Sequence, residues 1–217
     1  MSSAPVVAPE LDAARAVPSG PALAVKRAMD VVLSLAGLVV TAPLLGVVLL
    51  LARLGSRGSP IFRQQRVGQG GRLFTIMKVR TMRHDAEAEG PQFPRRRDGR
   101  VTRLGSILRP LGIDELPQLW NVLRGDMSLV GPRPEQPLFA RQFAERIPGF
   151  EDRHLVRPGI TGWAQVNGLR GDVPIEDRVR HDLEYLRRWS LLLDVEILVR
   201  TIGVIWRDAS EVSRTGR

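Results

Sequence analysis

"VVLSLAGLVVTAPLLGVVLLLA", residues 31–52, decides the fold, because it runs for 22 residues without a charge. As a straight helix it would extend about 33 Å, enough to cross the hydrocarbon core of a bilayer. A soluble chain of 217 residues rarely hides an all-round apolar helix of that length, so membrane association is expected. Two geometries satisfy it: spanning, or entering and leaving through one leaflet. Pro43 stands near the middle, where it deletes a helix hydrogen bond and kinks the axis. Lys26 and Arg27 precede the run, and Arg53 and Arg57 follow it. A spanning helix usually carries its Lys/Arg excess on one side, so charge at both ends favours a re-entrant helix-hairpin bent at Pro43.

On the N-terminal side, residues 1–22 are rich in Ala, Pro and Ser without apolar periodicity, and they read as a disordered tail. No early apolar core marks them as a secretory signal. On the C-terminal side the charge balance changes abruptly. Residues 53–109 hold 14 basic and four acidic side chains, which accounts for the whole formal surplus of +9. Such a block suits anionic lipid, phosphorylated ligands or nucleic acid, and the apolar run beside it favours the first two. There is no cysteine, which excludes disulfides, thiolate catalysis and Cys-based metal sites and suits a cytosolic face. His84, His154 and His181 lack zinc-ligand spacing. The expected organisation is therefore a tail over 1–22, a re-entrant membrane segment over 23–54 and a globular domain over 55–210.

Within that domain, two β-favourable runs flank "GQGG", residues 68–71, and predict a β-hairpin. Residues 85–100 read as a polar loop that includes Arg95–Arg97. A short helix is expected over 102–108. Another is expected from Asp114 to about Leu123, with Gly125 as its C-cap. "SLVGPRPE", 128–135, reads as a stiff two-proline loop, and 135–147 as helical. "VRPGITGWAQVNG", 156–168, reads as an ordered loop with short extended pieces. Helix resumes over 175–207 with a break near 190–194, and its apolar faces suit either a core or a membrane interface. The fold class that emerges is α+β and mostly helical, with a re-entrant helix-hairpin, a short β-hairpin and interfacial amphipathic helices.

The candidate chemistry centres on Asp114–Glu115 in "GIDELPQLW", residues 112–120. An Asp–Glu pair at a helix start can simply serve the cap and the dipole. Here it follows Gly112, which lets a ligand approach the backbone, and it follows the most basic part of the chain. A carboxylate kept ionised by a helix start and nearby cations makes a metal ligand or a nucleophile rather than a general acid. Magnesium is the cation that carboxylates bind beside substrate phosphates. Candidate phosphate-binding residues are Lys78 and Arg80, two apart on a strand, with Arg133 and Arg157, each held extended by a following proline. His154 and His181 could act as acid–base groups but sit in no special context.

These residues also carry a resemblance. "DELPQLWNVLRGDMSLVGPRP", 114–134, and "VRPGITGWAQVNG", 156–168, resemble the bacterial sugar transferases, the monotopic phosphoglycosyl transferases. "KRAMDVVLSLAGLVVTAP", 26–43, resembles their N-terminal membrane segment, and 58–82 the block after it. The resemblance covers about residues 24–207. It implies transfer of a sugar-1-phosphate from a UDP-sugar to polyprenyl (undecaprenyl) phosphate, releasing UMP and starting surface-glycan assembly at the cytoplasmic face of the bacterial plasma membrane. It implies Asp114 as nucleophile and magnesium ligand, through an aspartyl phosphosugar intermediate. Glu115 would serve as base or orienting group. Where well-known members carry Ser–Pro at the membrane kink, this chain reads Ala42–Pro43. The stretch from Asn167 onward looks like members that move glucose- or galactose-phosphate in exopolysaccharide synthesis, so a hexose is the expected sugar. Membrane lipid is an implied partner and nucleic acid is not; a homodimer is left open. The alternative is a non-catalytic basic protein that binds the membrane surface, which leaves the acidic pair and the Gly/Pro-rich loops without a purpose. A carboxylate-pair glycosidase would need its carboxyls on opposite sides of a sugar, which adjacent residues do not provide.

Overall fold

The structure is a computed structural model that describes residues 20–55, 58–86, 90, 98–171 and 173–215. Arg57, Arg95–Arg97 and all but the end of the expected tail lie outside the described residues. The first helix, α1, covers Pro21–Gly55, so it begins inside the stretch expected to be a tail. It is unbroken through Pro43, and Thr41 donates its hydroxyl to the Gly37 carbonyl one turn before the proline, at 2.7 Å. Among the described residues this is the one helix long and apolar enough to cross a membrane.

The burial pattern of α1 is discontinuous. Lys26, Asp30 and Ser34, one turn apart, are buried, and so are Val48 and Ala52; the residues from 35 to 47 contribute none. Val39 and Val40 are 68% and 78% exposed, and Leu44, Val47 and Leu50 are also exposed. The N-terminal end is fastened by polar groups. Lys26 donates to the Val130 carbonyl (3.2 Å) and to Asp194 (2.7 Å). Asp30 accepts from the Ser128 hydroxyl and the Leu129 N–H. Arg27 donates to the Val122 and Leu123 carbonyls at 2.7 and 2.8 Å. Lys26 and Arg27 are thus committed to the globular part, and their charge is not a free marker of membrane sidedness. The C-terminal end is fastened by packing of Val48 and Ala52 on Val79 and Leu108.

Strands β1 (Ile61–Val67) and β2 (Leu73–Val79) form the expected antiparallel hairpin, with Ile61 opposite Val79. Gly70 and Gly71 take φ of 64° and 75° in the turn, the left-handed region that glycine enters freely. Helix α2 (Arg103–Leu108) is capped by the Thr102 hydroxyl, which accepts from the Gly105 N–H. The next helix, α3, covers Gln118–Arg124, so it starts four residues later than Asp114. Pro117, itself in the right-handed helical region, immediately precedes α3, where its missing N–H leaves no helix hydrogen bond unmade. Residues Ile113–Glu115 instead form a separate 3-10 turn after Gly112, whose φ is 66°. Gly125 ends α3 at φ 89°, as expected.

Two further strands, β3 (Ser128–Val130) and β4 (Gly159–Thr161), pair in parallel, so the two-proline stretch opens as a strand rather than as loop. A Cβ at Gly159 would collide with the Gly131 backbone, and that close approach ties the two Gly/Pro-rich motifs together. Helix α4 covers Pro137–Ala144 and α5 covers Trp163–Val166. Helix α6 (Ile175–Arg188) and helix α7 (Leu191–Thr215) break at Trp189–Ser190, where the Ser190 hydroxyl accepts from the Leu193 N–H. One core joins Phe74 and Ile76 of β2 with Val122, Met127, Val130, Leu186 and Ile197. A second gathers Phe139, Phe143, Phe150, Val179 and Leu183. The result is mostly helical α+β, with two small sheets among the described residues.

Candidate active site

Asp114 and Glu115 share one 3-10 turn, and their surroundings give them opposite tasks. Glu115 is clamped. Lys78, from β2, donates to its Oε1 at 2.9 Å. Arg133, from the loop after β3, donates to Oε1 at 2.5 Å and to Oε2 at 3.3 Å. That fork holds the Glu115 carboxyl well below its ordinary value despite burial, and it holds the Arg133 guanidinium above its own. Burial pulls Lys78 down, against the pull of Glu115.

Asp114 is 7% exposed, yet among the described residues no hydrogen bond reaches its carboxylate. Burial raises its pKa, and the Glu115 charge raises it further; Lys78, Arg109 and Arg133 pull it back only in part. The helix start and nearby cations, expected to favour the ionised form of Asp114, do not outweigh its burial. α3 begins too late for its dipole to serve Asp114, and desolvation outweighs the cations. The result is a carboxylate with uncommitted lone pairs facing three cations, a suitable nucleophile or ligand.

Arg109 escaped the sequence reading. It sits just after α2, donates its Nε–H to the Thr81 hydroxyl at 2.9 Å, and feels the Asp114 charge more than any other. Its membership of the basic block, five residues before Asp114, was the available signal. The other candidates disperse. Arg80 lies just beyond β2 against Gly58. Arg157 lines a cavity of about 70 Å³ with Lys26, Asp30, Ser128 and Tyr185, while Lys78 and Arg133 line a narrower crevice with Arg66 and Gln118. Gln118 is 1% exposed and its Nε2 finds no acceptor among the described residues. His154 stands edge-on to Phe150 and burial lowers its pKa to about 4. His181 engages the Asp177 carbonyl. Both are occupied in local structure.

Among the described residues no three His, Cys, Asp or Glu side chains gather as a metal cage. Magnesium does not need one: it binds through one or two carboxylates, substrate phosphates and water. Both Glu115 oxygens are taken, so Asp114 is the dyad's available ligand, and the donor set fits that mode.

Comparison with known proteins gives the family. A family model described as bacterial sugar transferase matches residues 21–208. The chain is 46% identical over 183 residues to a UDP-N-acetylgalactosamine-undecaprenyl-phosphate N-acetylgalactosaminephosphotransferase of Aeromonas hydrophila, covering 83% of this chain and 43% of the relative. It is 44% identical to a UDP-glucose:undecaprenyl-phosphate glucose-1-phosphate transferase of Xanthomonas campestris pv. campestris, covering 81% and 37%. The chain thus spans well under half the length of these two relatives. An exopolysaccharide production protein PSS of Rhizobium leguminosarum bv. phaseoli is 42% identical and is matched over 94% of its length.

Proposed function

The chain belongs to the bacterial sugar transferase family, and we propose that it moves a sugar-1-phosphate from a UDP-sugar to undecaprenyl phosphate with release of UMP. The observation that carries this reading is the division of labour within the dyad: Glu115 is locked by Lys78 and Arg133, while Asp114 is buried beside three cations with its oxygens uncommitted. In the first half-reaction an Asp114 oxygen attacks the phosphorus that bears the sugar. The Asp–phosphorus bond forms, the diphosphate bridge breaks, and UMP leaves with the bridging oxygen. In the second, an oxygen of undecaprenyl phosphate attacks the same phosphorus and Asp114 departs as carboxylate. Lys78, Arg109 and Arg133 neutralise the charge that builds on the phosphoryl oxygens. Glu115 acts by orienting, since a carboxylate held so far below its ordinary pKa is a weak base. Magnesium, bound through Asp114, would supply further neutralisation of the diphosphate.

The same reading puts the enzyme on the cytoplasmic face of the bacterial plasma membrane, with α1 re-entrant. What supports re-entry is that Lys26 and Asp30 near one end of α1 and Val48 and Ala52 near the other pack on one globular body, while an outward apolar face between them, with Val39, Val40, Leu44 and Val47, stays exposed. A spanning helix would carry one end away from that body. The exposed apolar stripe of α7, Leu192, Val195, Val199, Ile202 and Trp206, follows helical spacing and suits an interfacial position. The expected sugar is a hexose, in exopolysaccharide synthesis. Asp114→Asn tests the chemistry: UMP release should vanish while membrane association persists. A normal rate in that variant would exclude Asp114 as the nucleophile.

A further inference from the structure

The stretch Pro132–Glu135 carries Arg133 between two prolines, neither of which has an N–H to donate. All four of its carbonyls are nevertheless held. Pro132 accepts from the Gly159 N–H (2.9 Å) and Glu135 from the Val67 N–H (3.0 Å). The two between them accept from guanidinium groups: Arg153 donates to the Arg133 carbonyl at 2.9 Å, and Arg66 to the Pro134 carbonyl at 3.1 Å. Arg153 is 2% exposed and its Nη2 also donates to the buried Asp182 at 2.5 Å. Its ring-facing side lies 5.1 Å over Phe150, in the second core. Glu135, itself buried, accepts from Arg178 at 3.2 Å, with Arg66 and Arg153 each at 4.0 Å. This cluster lies on the main-chain side of Arg133, while its side chain reaches Glu115.

We infer that Arg153, braced by Asp182, is a positioning residue for the transfer reaction: it fixes the main chain of Arg133 so that the guanidinium stays forked on Glu115 and aimed at phosphate. The inference rests on the proposed function for its kinetic consequence and on geometry alone for its structural one. A buried charge stripped of its partner is strongly destabilising, whereas removing both partners together is often neutral. The informative variant is therefore the pair Arg153→Met/Asp182→Leu.

Two measurements decide. The first is hydrogen exchange in 131–136 of the full chain in detergent. The pair should raise exchange there about tenfold or more with the melting temperature nearly kept, and unchanged exchange overturns the inference whatever reaction the protein performs. The second is a double-mutant cycle on kcat/KM for UMP release. In the native background the pair should lower kcat/KM about tenfold or more. In an Arg133→Met background it should change it by no more than about twofold. An equal loss in both backgrounds means a general structural role and overturns the inference. Should the pair fail to fold, Arg153→Lys keeps the charge opposite Asp182 without the planar fork, and the same exchange criterion applies. Wild-type protein that releases no UMP would refute the proposed function, and exchange alone would then judge the role of Arg153.

Discussion

Burial and the Glu115 charge raise the Asp114 carboxyl, whereas Lys78 and Arg133 hold Glu115 down. The consequences differ in sign. A nucleophilic Asp114 works deprotonated, so activity falls as pH drops through its pKa, and the acid limb of kcat/KM should lie above the ordinary 3.8. Arg109→Met removes a cation that opposes the shift, so the limb should move higher still in a pH–rate profile; a limb that stays put would contradict the assignment of Arg109. Glu115, with its pKa depressed, contributes stability at pH above its ordinary 4.5 and loses that contribution as pH falls through the depressed value. Glu115→Gln should cost about 1–3 kcal/mol at pH 7, and the difference from wild type in thermal melts should narrow below pH 4.5. Strand alternation and the X–Pro rule nominated Lys78 and Arg133, which reach Glu115, but equally Arg80 and Arg157, which do not, because those rules fix a direction and not a partner. Arg109 was marked only by its place in the basic block, and its orientation depends on Thr81, 28 residues away.

At the scale of elements, α1 and α3 are coupled. Arg27 reaches from the apolar helix to the last carbonyls of α3, whose start follows the dyad directly. Arg27→Ala should cost about 1–3 kcal/mol and speed amide exchange at the C-terminal turn of α3; unaltered exchange would mean that the contact is idle. The topology of α1 is tested by placing single cysteines at Ala24 and Gly55, both exposed, in a chain that has none of its own. Both should react with an impermeant reagent from the same side of sealed vesicles, whereas opposite-side labelling would mean a spanning helix. The hairpin and the break between α6 and α7 were legible because glycine and serine signal turns and caps locally. The start of α3 was misjudged because the dyad looked like a helix cap and a proline three residues on is tolerated in a first turn, whereas Ile113–Glu115 form a separate 3-10 turn. Lys26 and Arg27 were misread for another reason: their partners, 95 to 168 residues away, are invisible in the chain order.

For the molecule as a whole, the basic block turns inward as much as outward. Lys78 and Arg109 serve the dyad, Arg66 holds the Arg133 loop, and Arg100 forks onto Asp98. Composition alone could not separate that from a basic patch for lipid. The nature of the sugar is a property of the whole pocket: relatives named for N-acetylgalactosamine and for glucose are similarly distant, at 46% and 44% identity. With undecaprenyl phosphate, magnesium and a panel of UDP-sugars, UMP release should be fastest with UDP-glucose or UDP-galactose, and exclusive use of N-acetylated sugars would replace the hexose assignment. The central claim is covalent. Incubating the protein with its UDP-sugar, labelled in the sugar-linked phosphate, without lipid acceptor and quenching in acid should leave one sugar phosphate on the peptide that contains Asp114, and none on Asp114→Asn. UMP release that depends on the lipid acceptor, with no label on the polypeptide at any time, would contradict it.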